Sequence, residues 1–382
     1  MIQNARKYTI FGNLFYAKIY IQVMIESVLK TYAIDPQGSE IESLTSGLIN
    51  NTWKVTQGER VYIVQRINDQ VFKKPFEVAA NIRMIDTFLK AHSPGYLFVS
   101  PVRNLKNEDI YFEEGQGYFR IFPFIKGSHT INAVSSPRQA FQAALQFGKF
   151  TRLLSGFEAR LLHITIPDFH NLTLRYNQFE AALKHGDPFR IKQSAHLIAE
   201  IKKYAGIVES YEKIRGNPNV KPRVTHHDTK ISNVLFDDQG KGLCVIDLDT
   251  VMPGYFISDV GDMMRTYLSP ANEEEKDFDK IEVREDFFKA IVNGYLSSMG
   301  DELTTEEQGL ILYSGSFLIY MQAIRFLADH LNGDVYYGAR YEDHNFVRAG
   351  NQLVLLKRLD EKASLLQKII ASELQTGTHF IF

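Results

Sequence analysis

The sequence predicts an α+β fold of two lobes, a small β-rich lobe followed by a larger, mostly helical one with an embedded β-hairpin. Three observations lead to this reading. Residues 39–125 alternate apolar and polar positions between turn signals, with one helical stretch among them. From residue 126 onward, helical periodicity dominates. One island, "PRVTHHDTKISNVLFDDQGKGLCVIDLDTV", interrupts those helices with strand-like runs.

The chain divides accordingly into an N-terminal helical segment (1–38), a β-rich lobe (39–125) and a helical lobe (126–382). In the first segment, "MIESVLKTYAI" has ordinary helical periodicity from Met24. The uncharged run Tyr8 to Ala17 follows Arg6 and Lys7 and faintly resembles a signal-peptide core. Lys18 ends it with no small-residue cleavage site, so it reads as an amphipathic helix or as residues upstream of a working start at Met24.

Next, "NTWKV" and "RVYIVQRI" are strands around the turn signal Gln57-Gly58-Glu59. "KKPFEVAANIRMIDTFLKAH" is a helix with Pro75 near its start. "DIYFEEGQGYFRIFPFI" is a hairpin turning at Glu113 to Gly117, and Phe124 to Gly127 is the candidate hinge. "SPRQAFQAALQFGKFTRLL", "LTLRYNQFEAALKHG" and a single longer stretch, "SAHLIAEIKKYAGIVESYEKIR", are helices. After the β island, residues 284–374 are mainly helical. Gln308 to Ile324 carries no charge, but it is shorter than a membrane span and holds Ser314, Gly315, Ser316 and Gln322, so it reads as a buried core helix.

Composition narrows the function. With 382 residues, 45% hydrophobic and 23% charged, the chain can bury a sizeable core. A formal net charge of −2 argues against non-specific nucleic-acid binding. The one cysteine, Cys244, makes neither an internal disulfide nor a cysteine-clustered zinc site, and a cytoplasmic setting without membrane attachment is expected.

The β island carries the chemistry. His226-x-Asp228 precedes Asn233, the strand "VLF", a turn from Asp237 to Gly242, and the strand "LCVIDLD" with Asp247 and Asp249. A hairpin returns Asp247 to the end where Asp228 and Asn233 lie. Two carboxylates and an amide oxygen then converge, a set suited to Mg²⁺ with one carboxylate left to orient a hydroxyl nucleophile. Those are the requirements of phosphoryl transfer. Taken singly, Asp228 and Asp247 also fit turn or cap roles, and His226 and His227 also fit buried, hydrogen-bonded histidines. The P-loop, zincin, nucleophile-elbow and Rossmann motifs are absent from the sequence.

The ordered pattern H-x-D-x(4)-N, strand, turn, strand, D resembles the kinase-like superfamily of aminoglycoside phosphotransferases and choline kinases. The Gly that closes the D-F-G signature of protein kinases is absent here, where Leu248 and Asp249 follow the second Asp. "GLINNTWKV", "YIVQRIN", "VFKKP", "HHDTKISNVLFD", "VIDLDTVMPG", "SDVGDMMR", "RFLADHLNGDVYYG" and "EDHNFVRAGNQLVLL" stand in the order found in the N-acetylhexosamine 1-kinases, which this chain resembles from about Met24 onward. That resemblance implies a bilobal protein-kinase-like fold, with ATP and Mg²⁺ used to phosphorylate the anomeric hydroxyl of N-acetylglucosamine or N-acetylgalactosamine. It implies Asp228 as the catalytic base, Asn233 and Asp247 as metal ligands, and Arg325 and Tyr336 as sugar contacts. Asp249 stays open between a second carboxylate ligand and a structural role, and His226 is expected to brace the loop.

In the small lobe, the resemblance puts Leu48 to Asn51, with Asn50 among them, at the phosphates and Pro123, Phe124 and Ile125 at adenine. The usual β-strand Lys is missing. Arg66 is the expected replacement with Gln65 on the opposite face, and Glu77 is the nearest acidic candidate. Arg325 and Asp329, four residues apart, share a helix face and fit either a surface ion pair or a sugar contact. Tyr337 and Asp334 can do the same work as Tyr336, and Glu342 to Asn345 either supports the pocket or packs. Two other readings remain: a kinase of this fold for another alcohol or an aminoglycoside, and a non-catalytic nucleotide-binding regulator.

Overall fold

The computed structural model describes residues 21–44 and 49–376. Contacts divide the chain into two compact units. Of the described residues, one holds those up to Thr87 together with Phe98–Lys126, and the other holds Phe88–Leu97 and those from Gly127.

The first unit is built on one antiparallel sheet of β1 (Glu40–Leu44), β2 (Asn51–Gln57), β3 (Arg60–Ile67), β4 (Tyr111–Glu113) and β5 (Gly117–Pro123). Its strand order is β1-β2-β3-β5-β4. Gly58 takes φ +56° in the turn between β2 and β3, a conformation that costs glycine nothing. Alternation puts Trp53, Val55, Val64, Phe119 and Ile121 on one face of the sheet. Helix α1, residues 21–31, covers that face with Met24, Ile25, Val28 and Leu29. The spacing of those four residues is that of one helical stripe. Strand β1 was not expected from sequence. It is an edge strand whose EIESL pattern buries no residue, so it lacks the apolar alternation that marks an internal strand. Helix α2 (Pro75–His92) begins on Pro75 and buries Val78, Ile82, Ile85 and Leu89.

The second unit holds α3 (Pro137–Leu153), α4 (Leu172–His185), α5 (Pro188–Gln193), α6 (Ala195–Lys203), α7 (Gly206–Arg215), α8 (Phe256–Tyr267), α9 (Glu285–Met299), α10 (Thr305–Gln308), α11 (Ile311–Leu331), α12 (His344–Glu361) and α13 (Ala363–Thr376). The stretch expected as one long helix is α6 and α7, broken at Tyr204-Ala205. The amide of Tyr204 bonds the carbonyls of Glu200 and Ile201, and the amides of Ile207 and Val208 restart tight turns at Tyr204 and Ala205. Gly206 then opens α7, and glycine is a weak helix former.

Among the described residues, α11 alone is long and apolar enough to cross a bilayer. It is the central core helix, with Phe317 to Met321 buried in unbroken succession. It packs against α4, α8 and α12, which explains why it is apolar on all sides. Gly261 of α8 sits at one crossing, where a Cβ would come within 2.2 Å of the Ser314 carbonyl oxygen.

Between the helices lie β6 (Ser128–His129), β7 (Arg223–Thr225), β8 (Val234–Asp237), β9 (Gly242–Val245) and β10 (Met252–Gly254). β8 and β9 form an antiparallel hairpin with a bulge at Leu235/Phe236, extended by β6, while β7 pairs with β10.

Candidate active site

The hairpin performs the convergence that the motif spacing requires. Val234 pairs with Val245, and the Ile246 amide bonds the Asn233 carbonyl at 2.9 Å. Asn233, just before β8, and Asp247, just after β9, are thereby held at the same end. The Asn233 Nδ2 donates to the Asp228 carbonyl at 2.8 Å. That orientation ties Asn233 to the loop carrying Asp228 and leaves Oδ1 as the amide atom able to meet a cation.

Asp247 takes φ +60° and His227, beside Asp228, takes φ +66°. Non-glycine residues in this region persist only where their surroundings impose it, and such positions cluster at functional sites. The Asp228 carboxylate is partly exposed and lies 3.2 Å from the Lys230 ammonium. Burial works against the Lys230 charge, but Asp228, Asp262 and Asp247 together outweigh it and the Lys230 pKa is raised.

The loop is fixed from below by α8. Asp259 accepts the amide of His226 at 3.0 Å and that of His227 at 2.7 Å. Asp262 accepts the amide of Thr229 at 2.8 Å. The Thr229 hydroxyl donates to the Asp259 carbonyl at 2.8 Å, and that of Thr250 donates to the His226 carbonyl at 2.6 Å. Burial lifts the Asp259 carboxyl to about 7, against the pull of the two histidine amides. Burial also raises Asp262, while Arg265, bonded to it at 2.9 and 3.0 Å, pulls the other way.

His226 is fully buried, with Nε2 3.0 Å from the Ile246 carbonyl, so it joins the loop to the hairpin. Burial lowers the pKa values of both His226 and His227, that of His227 to about 4. Neutral His226 therefore donates through Nε2. Gly254 presses on His227, since a Cβ there would lie 2.4 Å from the ring Nε2. Asp249 is buried in the short 3₁₀ turn after Asp247.

A second cluster gathers at the C-terminal end of α11. Arg325 lies 3.5 Å from the Tyr336 hydroxyl and 3.4 Å from Gln322 Oε1. Its guanidinium sits 5.4 Å from the Tyr337 ring centroid and 5.9 Å from that of Phe169. Asp329 does not pair with Arg325, although the two are four residues apart. It accepts the amides of Tyr336 at 2.7 Å and Tyr337 at 2.9 Å and the Asn345 amide group at 3.1 Å, so it shapes the loop that presents the tyrosines. Asp334 pairs with Arg190 at 2.5 Å. Asn345 also bonds Asp334 and the Gly338 carbonyl, which makes it a buried brace of this loop. Phe169, His170 and His227 share a cavity of about 220 Å³ with Met252, Tyr255 and Phe317.

Two arginines join the clusters through Glu273. Arg265 bonds it at 2.8 Å. Arg348 bonds it as well, and its guanidinium also stacks 3.7 Å over the Phe326 ring. Burial would raise the Glu273 pKa, but Arg265 and Arg348 prevail and lower it.

In the first unit, Arg66 shares the sheet face of Val64, and Gln65 points to the opposite face. There Gln65 accepts from the buried Arg120 at 2.8 and 3.1 Å. Glu77 pairs with Lys74 at 2.9 Å. The Asn50 Oδ1 accepts the Asn68 amide at 2.9 Å. Phe124 bonds the Val61 carbonyl through its amide at 3.2 Å, and Pro123 closes β5 opposite Tyr62. Leu48 lies outside the described residues.

The model of the phosphotransferase enzyme family (APH) matches residues 40–295. The chain belongs to that family. Solved structures share the fold. A microcompartment-associated aminopropanol kinase superposes with a TM-score of 0.61 at 15% identity, over 90% of this chain and 98% of its own. An aminoglycoside phosphotransferase from Alicyclobacillus acidocaldarius gives 0.55 at 15% identity, over 92% and 96%. Choline kinase from Cryptosporidium parvum gives 0.54 at 14% identity, over 91% and 98%. This phosphotransferase therefore has a kinase-like fold, with a small β-sheet lobe and a larger helical part.

Sequence reasoning did not assign roles to Asp259, Asp262, Lys230, Glu273 or Arg348. The signal for the first two was present, because acidic residues three apart interrupt the apolar helix "SDVGDMMR". Buried carboxylates need partners, and the motif loop supplies them.

Proposed function

We propose that this phosphotransferase uses ATP to phosphorylate the anomeric hydroxyl of an N-acetylhexosamine. The observation that carries the reading is the Arg325–Tyr336–Tyr337 cluster, where a guanidinium and a phenol hydroxyl stand within 3.5 Å, beside aromatic rings. Forked donors next to aromatic faces suit the hydroxyls and apolar faces of a sugar ring.

Asp228 would accept the proton of the acceptor hydroxyl as its oxygen bonds the γ-phosphorus and the bond to ADP breaks. The Lys230 ammonium, 3.2 Å away, orients that carboxylate. No group of three or more His, Cys, Asp or Glu among the described residues makes a metal cage. Asn233 Oδ1 and the Asp247 carboxylate offer two protein oxygens, which fits Mg²⁺, an ion that keeps waters and takes its other ligands from phosphate. Bound there, it would neutralise charge on the transferring phosphoryl group. In the first unit, Asn50, Arg66 and Pro123 to Ile125 stand as the proposed nucleotide contacts.

The competing reading is an amino-alcohol or aminoglycoside kinase, the activities named for structures of the same fold. ATP-dependent turnover of N-acetylglucosamine and N-acetylgalactosamine, with phosphorus NMR to locate the new phosphate, tests the proposal. A phosphate on the anomeric oxygen supports it. Absence of product with both sugars refutes it.

A further inference from the structure

Resting on that reading, the charge at the candidate acceptor site has a consequence for substrate class. The acidic side chains around the Arg325 cluster are already committed. Asp329 turns to the Tyr336 and Tyr337 amides, Asp334 pairs with Arg190, and Glu273 pairs with Arg265 and Arg348. Asp228 faces Lys230.

The guanidinium groups are less evenly matched. Arg325 has no ion-pair partner among the described residues, and its polar contacts are Gln322 and Tyr336. Arg175, on α4, donates to the Gln178 side chain at 3.0 Å and to the Asp168 carbonyl at 2.9 Å. Its Nε is buried and makes no hydrogen bond. The Asp168 carboxylate instead takes the Asn171 amide group at 2.8 Å. Asp168 adjoins Phe169, the ring beneath Arg325, so both guanidiniums border one turn.

They also act on each other. Burial and then Arg325 lower the Arg175 pKa. Arg325 and Arg175, together with Arg265, help to keep His170 neutral after burial and His227 have lowered its pKa. His170 stacks on Phe169 at 4.4 Å with its Nδ1 buried and without a hydrogen bond.

We propose that Arg175 is a specificity-determining residue which, with Arg325, makes the acceptor site select neutral or anionic alcohols and reject cationic ones. A protonated amine on the acceptor would enter a field of two guanidiniums while Asp329, Asp334 and Glu273 are engaged elsewhere. An N-acetyl group, being uncharged, enters without that penalty and offers a carbonyl oxygen to the arginines.

Initial-rate kinetics at pH 6.5 on the full chain with ATP and Mg²⁺ test this, using N-acetylglucosamine, N-acetylgalactosamine, glucose, glucosamine and choline as acceptors. Glucose and glucosamine isolate the amine charge, because they differ only at one substituent. The wild-type protein should favour glucose over glucosamine by at least about tenfold in kcat/KM, the sign expected of like-charge repulsion. Arg175→Gln should bring that ratio close to one, and Arg175→Lys should restore most of it. A wild-type preference for glucosamine or choline overturns the inference, as does an unchanged ratio in Arg175→Gln. If neither N-acetylglucosamine nor N-acetylgalactosamine is phosphorylated but glucose still outruns glucosamine in an Arg175-dependent way, the proposed substrate fails and the charge selection stands. No turnover with any of these acceptors overturns both.

Discussion

Replacing Asp259 with Asn tests whether α8 holds the motif loop. The carboxylate accepts two amides, His226 at 3.0 Å and His227 at 2.7 Å, and it is buried. Asparagine keeps one acceptor oxygen and presents an NH₂ group where the second stood, so one loop amide loses its acceptor. A buried donor left unsatisfied costs about 1–3 kcal/mol. At about 1.36 kcal/mol per decade, a midpoint of about 2 kcal/mol is roughly a 30-fold change in an opening equilibrium. Hydrogen exchange, read on a peptide spanning residues 223–233, should show that acceleration at the His226 and His227 amides. Peptides from the first unit should exchange as in the wild type. The carboxyl, at about 7 in the folded protein, lies above its unfolded value near 3.9. Its contribution to stability is therefore full below about pH 4 and is lost as pH rises through about 7. The Asp259→Asn substitution removes that slope, so its cost should shrink between pH 5 and pH 8. Unchanged loop exchange, or a cost that grows over that range, would refute the argument.

Three further substitutions probe other parts of the second unit. Asp228→Asn should lower turnover by about 10²- to 10⁴-fold while ATP binding and the unfolding midpoint stay near wild type, because the side chain is partly exposed; steady-state rates beside a nucleotide titration decide it. Glu273→Gln breaks two charge-assisted contacts and should cost about 2 kcal/mol at pH 7 in urea unfolding. The Glu273 pKa is lowered, so its contribution is present above the unfolded value and fades as pH falls through the folded one, and the variant's deficit should narrow in acid. Gly261→Ala forces a methyl to within 2.2 Å of the Ser314 carbonyl oxygen and should destabilise by about 1–3 kcal/mol through separation of α8 from α11, measured by denaturant titration.

How much of this could be read beforehand depended on whether the cause was local. The turn at Gly58, the strands on either side, Pro75 at a helix start and the hairpin around residues 113–117 rest on nearest-neighbour chemistry, and the structure has them all. The uncharged run before Arg325 announced a buried helix, because it is shorter than a membrane span and holds Ser314, Ser316 and Gln322. Strand β1 carried no such signal, since it owes its place to pairing with β2. The break between α6 and α7 left only Gly206 as a clue inside a pattern that was otherwise continuously helical.

The same division holds at the candidate site. The order His226, Asp228, Asn233, Asp247 is a property of the chain, because a hairpin of that length returns its ends together whatever surrounds it. The sequence by itself determined the two-lobed α+β architecture and the order of the motif residues, from which the proposed chemistry is argued. Tertiary structure decided which charges are spoken for. Asp329 looked like a partner for Arg325 by helical spacing, yet it bonds the Tyr336 and Tyr337 amides. Asp259 and Asp262 brace a loop more than thirty residues earlier in the chain. Arg175, on α4, meets the Arg325 cluster across the Asp168–Phe169 turn. A buried or half-buried charge takes whichever partner packing brings within about 3 Å. That choice is made in space, by elements far apart in sequence, so spacing along the chain does not record it.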